Sequence, residues 1–118
     1  MADAGLFIGW GAPVRGREAK GLEVFNEALT YYGRLQEDGT IESVEAVILE
    51  PHGGDLQGFI LLRGMEEELA RLRVDDDFVR LSTRASLIVE GVGVVGAALG
   101  DGLEDSITTY QEAISDLT

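Results

Sequence analysis

Short apolar stretches alternate along the chain with longer stretches in which apolar residues recur every three or four positions. Each short stretch is followed by glycine or proline, which is typical of β-strands. The four predicted strands are residues 6–10, 41–50, 57–63 and 91–99. The periodic stretches predict amphipathic helices at residues 17–37, around 65–72, from 75 to 88 and from 101 onward.

Several positions define these helices more closely. The first helix should bury one apolar stripe, namely Leu22, Phe25, Leu29 and Tyr32, widened by Ala28 and Leu35. The acidic run at residues 75–77 is interpreted as an N-terminal cap rather than a metal site. Asp101 and Glu104 have the spacing of a capping box, so we expect the last helix to begin just after Asp101.

The order of elements predicts the fold class. Strand, helix, strand, strand, helical region, strand is the split βαβ arrangement. We therefore expect an α+β, ferredoxin-like fold, β-α-β-β-α-β, with an antiparallel four-stranded sheet, helices on one face and an additional C-terminal helix. The length of 118 residues favours a single domain covering residues 1–118.

Both faces of the predicted sheet are apolar. A strand with one wet face alternates apolar and polar residues, but the third strand reads Phe59-Ile60-Leu61-Leu62. An open apolar face of this width exceeds what monomers usually expose. We therefore expect a homodimer in which the sheets of two copies pack face to face, with the C-terminal helices bracing the partner or the rim.

With these elements the chain resembles the dimeric α/β-barrel superfamily, which includes antibiotic-biosynthesis monooxygenases, YCII-related proteins and EthD-like proteins. The resemblance rests on the element order, on the helix REAKGLEVFNEALTYYGRL and on the hairpin PHGGDLQGFILLRG, which also resemble uncharacterised bacterial members. It implies ferredoxin-like subunits that pair through their sheets, often with a ligand cavity beside the sheet. No catalytic motif of a subfamily matches residue by residue.

Charge excludes several classes of partner. The net charge is −13, from 22 acidic and 9 basic residues, and such a surface repels nucleic acids and anionic membranes.

No stretch is long and apolar enough to span a bilayer. The chain has no cysteine, which fits a cytoplasmic protein and excludes thiolate metal sites. With one histidine, no metal site is expected, and no cofactor is predicted.

The hairpin EPHGGDL holds the only histidine. His52 and Asp55 are the candidate catalytic residues, because an imidazole oriented by a carboxylate can act as a general base. The alternative is that they form only the polar tip of a hairpin, since glycine and aspartate are common turn residues.

Other candidate sites are less specific. Trp10, Tyr31 and Arg63 are the candidate ligand-binding residues, with core packing and surface ion pairing as their alternatives. The segment GVGVVG at residues 91–96 matches G-x-G-x-x-G, but too few residues follow it for a dinucleotide-binding unit.

Two functions remain open. In the first, the protein binds or transforms a small apolar molecule in a pocket beside the sheet, as a cofactor-independent enzyme or a binding protein. In the second, it is a non-enzymatic structural or interaction module whose sheet faces are filled by dimerisation. A ligand-sized cavity would favour the first and a filled interior the second.

Overall fold

The computed structural model describes residues 3–118. Its elements are, in chain order, β1 (Ala4–Trp10), α1 (Glu18–Glu37), β2 (Ser43–Ile48), β3 (Gly58–Gly64), α2 (Glu66–Arg73), α3 (Asp76–Ser86), β4 (Gly93–Ala98) and α4 (Asp101–Leu117). The helical region between β3 and β4 is divided in two because Val74 and Asp75 leave the helical conformation, Asp75 being extended with ψ 135°.

The four strands form one sheet in the order β2-β3-β1-β4, and every neighbouring pair is antiparallel. β1 and β3 are central, while β2 and β4 form the two edges. This is the split βαβ topology. The predicted α+β, ferredoxin-like fold is confirmed, with α4 as the additional C-terminal helix.

The core lies between one face of the sheet and helices α1, α2 and α3. Successive side chains of a strand point to opposite faces, so alternate residues of β1 and β3 enter it. Its buried side chains include Leu6, Ile8, Tyr32, Ile60, Leu62, Leu69, Leu72 and Phe78. Apolar burial of this kind is the main source of folding free energy.

The buried side of α1 is that of the predicted stripe, except that Val24 is buried in place of Leu22. Val24, Ala28 and Tyr32 are the buried residues, at a spacing of four, whereas Leu22 is 63% exposed. The prediction for Leu22 is therefore wrong. Its part of the helix lies over a cavity rather than over packed side chains, so nothing covers it.

The N-termini of α3 and α4 lack the side-chain capping interactions that the sequence predicted. α3 begins after Asp75 as expected, but the Asp75 carboxylate makes no capping hydrogen bond. The capping box predicted at Asp101 is wrong, because Gly100 is the N-cap residue and Asp101 is already helical. Gly100 has a φ of +53°, a conformation that glycine adopts at little cost.

The second face of the sheet is open and largely apolar, as the strand sequences predicted, and its charged part is the Arg63–Glu45 ion pair. By alternation with the core residues, it carries Phe7, Val47, Phe59, Leu61 and Val95. The rings of Phe7 and Phe59 stack with their centroids 5.0 Å apart. We call these five residues the open face.

α4 exposes its apolar side as well. None of its residues is buried, and it packs chiefly against β4. Its apolar stripe is between 47% and 88% exposed and consists of Leu103, Ile107, Tyr110, Ile114 and Leu117. An amphipathic helix normally covers such a stripe against another layer.

Candidate ligand-binding site

A cavity of about 490 Å³ lies between the sheet and helices α1 and α3. Ile8 and Ile60 of the central strands form part of its lining, and Phe25 of α1 and Ile88, just after α3, add further apolar side chains. The volume lies within the range of roughly 300–1,000 Å³ that is usual for small-molecule pockets. The interior on this side of the sheet is therefore not completely filled.

The cavity reaches solvent beside Leu22 and Ile48, two exposed apolar residues in its lining. Of the described lining residues, Glu18 alone carries a charge, and it lies in the exposed first turn of α1. An ionised ligand would lose its hydration inside without gaining a counter-ion, which is costly. The lining therefore suits an uncharged molecule.

Trp10 lies at the end of β1 and lines this cavity. Its ring meets Phe25 edge-on, with the centroids 5.7 Å apart and the planes at 64°. This edge-to-face arrangement is a favourable one for aromatic pairs. The ligand-binding role predicted for Trp10 stays a prediction, and its position in the cavity wall is compatible with that role.

Tyr32 brings a hydroxyl group to the cavity. The residue is 2% exposed and lines the cavity from α1. Burial, with a smaller contribution from Tyr31, raises the pKa of Tyr32 well above its ordinary value. The phenol is therefore protonated at neutral pH and is available as a hydrogen-bond donor.

Ser82 of α3 lines the same cavity. Its hydroxyl oxygen is buried and makes no hydrogen bond to any group in residues 3–118. Buried polar atoms are nearly always paired, so an unpaired one calls for an explanation.

The structure places His52 in the β2–β3 loop, outside this cavity. Its Nδ1 accepts a hydrogen bond from the Gly54 amide at 3.1 Å, and its Nε2 lies 2.7 Å from the Leu56 carbonyl oxygen. Because Nδ1 accepts, the ring proton is on Nε2, which donates to Leu56.

Both ring nitrogens are thus used by the backbone of the loop. No hydrogen bond joins His52 to Asp55 in the part of the chain that the structure describes. Asp55 lies in a separate cleft near Trp10 and Glu90. The catalytic role of the two residues stays a prediction, and the geometry is that of a histidine holding a hairpin loop together.

Tyr31 and Arg63 lie away from the cavity. Tyr31 lies in a groove between α1 and α3, where its hydroxyl donates to Asp75 at 3.4 Å. Burial, followed by the charges of Asp75 and Asp77, raises its pKa to about 12. Arg63 forms a 3.3 Å ion pair with Glu45, and both side chains are substantially exposed. Their ligand-binding roles stay predictions.

The glycine motif lies around β4, an edge strand antiparallel to β1. A dinucleotide site needs a parallel βαβ unit at such a motif, and this strand has no parallel neighbour. Within residues 3–118, no three acidic or histidine side chains gather in a group that would hold a metal ion. None of the described helices is long and apolar enough to cross a bilayer.

The sequence predicts a tyrosine of α1 beside Trp10, but the tyrosine that lines the cavity is Tyr32 rather than Tyr31, and Ser82 was not predicted as a site residue. A signal was present for each, because Tyr32 falls on the predicted apolar stripe of α1 and Ser82 lies one turn after Phe78. Hydroxyl groups on otherwise apolar helix faces indicate a polar function inside the fold. The adjacent Tyr31, which was predicted instead, lies in the groove between α1 and α3, with its ring centroid 5.3 Å from that of Tyr32.

Comparison with known proteins supports the fold that the strand topology indicates. No family model and no curated protein matches the chain in sequence. A dimeric protein of unknown function and ferredoxin-like fold from Bacteroides fragilis aligns with a TM-score of 0.58 and 11% identity, covering 81% of this chain and 96% of that chain. The chain has a ferredoxin-like fold.

A second solved structure is SnoaB, a cofactor-independent oxygenase from Streptomyces nogalater. It aligns with a TM-score of 0.54 and 13% identity, covering 84% of this chain and 95% of SnoaB. The two structures support the fold-level resemblance to dimeric α/β-barrel proteins. At such identities the likeness shows the fold alone, and function has to be argued from the site.

Proposed function

We propose that this protein binds an uncharged, largely apolar small molecule in the cavity between the sheet and helices α1 and α3. The observation that carries the proposal is a ligand-sized space of about 490 Å³ whose lining is apolar apart from a few hydroxyl and amide groups and the exposed Glu18. Sites for small molecules combine an apolar wall with a small number of polar groups in this way.

The fold neighbours add limited support. SnoaB is a cofactor-independent oxygenase, so this fold can house small-molecule chemistry without a cofactor. His52 and Asp55 have no part in the proposal, because they lie outside the cavity lining.

The test uses the intrinsic fluorescence of Trp10, which is the chain's only tryptophan and lies in the cavity wall. Titration with the neutral probe N-phenyl-1-naphthylamine should quench Trp10 emission by energy transfer. Ala85 of α3 also lines the cavity, and Ala85→Phe would fill part of it. We expect this variant to bind the probe at least tenfold more weakly.

Ala70→Phe is the matched control, because Ala70 is an exposed helical alanine outside this lining. It should leave the affinity unchanged. Saturable binding that Ala85→Phe does not weaken would place the probe elsewhere and contradict the proposal.

We also propose that the protein is a homodimer joined through the open face and the apolar stripe of α4. The chain has 7768 Å² of accessible surface, whereas a compact monomer of its 12.7 kDa mass would have roughly 6,200 Å². Its radius of gyration is 16.0 Å, against roughly 13.5 Å expected for its length.

The excess surface, about 1,500 Å², matches what one subunit buries in a stable dimer, which is roughly 1,000–2,500 Å². The dimeric neighbour from Bacteroides fragilis supports the same assembly. Sedimentation velocity should give a dimer at micromolar concentration, and a lone subunit there would contradict this proposal.

A further inference from the structure

We infer that the ligand carries an uncharged oxygen acceptor, such as a ketone, to which Tyr32 and Ser82 donate hydrogen bonds inside the cavity. This inference rests on the proposed binding function and adds the chemical class of the ligand. It assigns a positive role to two hydroxyl groups that have no partner in the fold itself.

The first observation is that both hydroxyls lack partners. Ser82 has a buried hydroxyl oxygen that no described group satisfies. Tyr32 makes no side-chain hydrogen bond within residues 3–118, but its oxygen is not one of the fully buried unpaired atoms, so it remains accessible from the cavity that the residue lines. An unpaired buried hydroxyl costs free energy, and a ligand oxygen would remove that cost at Ser82.

The second observation is that the two residues face one space. Both line the cavity, Tyr32 from α1 and Ser82 from α3. The Tyr32 ring lies 6.4 Å from the ring of Phe78, and Ser82 follows Phe78 by one turn of α3. Residues four apart lie on the same helix face, so the Ser82 side chain is on the side of α3 that faces Tyr32.

The absence of basic side chains from the described lining narrows the class of ligand further. No lysine, arginine or histidine is among the described lining residues, so a carboxylate or phosphate would be buried without a counter-ion. A ketone needs only hydrogen-bond donors. Serine and protonated tyrosine hydroxyls are such donors, whereas the apolar remainder of the lining would pack against the hydrocarbon part of the molecule.

Two probes of the same shape test the inference. 2-Acetylnaphthalene carries a ketone, and 2-isopropenylnaphthalene replaces that oxygen with a methylene group. Their affinities are measured by displacement of N-phenyl-1-naphthylamine from the wild-type protein, from Tyr32→Phe and from Tyr32→Phe/Ser82→Ala. A pocket without donors would favour the alkene, because the ketone must be stripped of water without compensation.

We expect the wild type to bind the ketone about tenfold more tightly than the alkene. Tyr32→Phe should reduce this preference about threefold, and the double variant should reverse it while binding the alkene as well as the wild type does. Retained alkene binding shows that the cavity is intact, and both substitutions remove unpaired groups, so the variants should fold.

Equal binding of the two probes by the wild type, or a ketone preference that survives the double substitution, would overturn the inference while leaving the binding function in place. If the naphthylamine binds but neither probe displaces it, the inference is likewise overturned and the binding function stands. If the naphthylamine itself does not bind the wild type, the binding function fails and the inference fails with it.

Discussion

Substitution of Val95 by lysine should separate the two subunits of the proposed dimer. Val95 lies opposite Phe7 in the β1–β4 register and is 56% exposed in the single chain. Full burial of a valine contributes roughly 1.5–3 kcal/mol, so burying the exposed half in an interface contributes about 1 kcal/mol per subunit. By two-fold symmetry the loss occurs twice.

Lysine also brings an ammonium group into this apolar interface. Burying a charge without a partner costs several kcal/mol, even after relaxation. Each subunit brings one lysine, so together with the lost burial the total exceeds about 5 kcal/mol per dimer, and each 1.4 kcal/mol is a factor of about ten in affinity. The dissociation constant should therefore rise by about a thousandfold or more.

Sedimentation velocity over a range of micromolar concentrations measures this change. Val74→Lys is the control, because Val74 is the most exposed valine, at 77%, and lies between α2 and α3 away from the open face. It should leave the dimer intact. If Val95→Lys assembles as tightly as Val74→Lys, the open face is not the interface and the reasoning is refuted.

Two further predictions concern the titrating residues of the fold. Tyr31 and Tyr32 hold their protons more tightly than the unfolded chain, where the pKa is about 10, so the free energy of unfolding should fall as pH rises from about 10 towards 12. Phenolate absorbance of the wild type, Tyr31→Phe and Tyr32→Phe identifies each titration, and ordinary titration of either residue would contradict its burial. In the hairpin loop, nitrogen chemical shifts of neutral His52 should show the Nε2–H tautomer. Gly54→Ala should disturb this arrangement of the His52 ring, because the added Cβ would lie 2.6 Å from the ring. A proton on Nδ1 in the wild type would contradict the hydrogen bonds of the loop.

Some details of the fold could not be read from the sequence. The spacing of apolar residues indicates that α1 has one apolar side. It does not determine which residue at the edge of that side is buried. Val24, Ala28 and Tyr32 are buried, whereas Leu22, which lines the same cavity, is left exposed. The capping-box pattern at Asp101 was also overridden, because the chain turns at Gly100, where a positive φ suits glycine.

The candidate site depended even more on packing. The EPHGGDL motif predicts a catalytic role because it contains the only histidine, but both ring nitrogens of His52 lie within hydrogen-bond distance of the loop backbone. Tyr32 and Ser82 are far apart in the sequence, and neither belongs to a recognisable motif. They become neighbours of one cavity only when α1 and α3 pack on the sheet.

The sequence alone determined the strands, the helices, their order and the largely apolar character of both sheet faces. These follow from the spacing of apolar and polar side chains and from the free-energy cost of exposing apolar side chains to water. The tertiary structure alone decided that Val24 rather than Leu22 is buried on α1, where the interior remains unfilled and which hydroxyl-bearing residues line that space. Those features depend on how side chains distant in the chain fit together, and spacing along one segment carries no information about that fit.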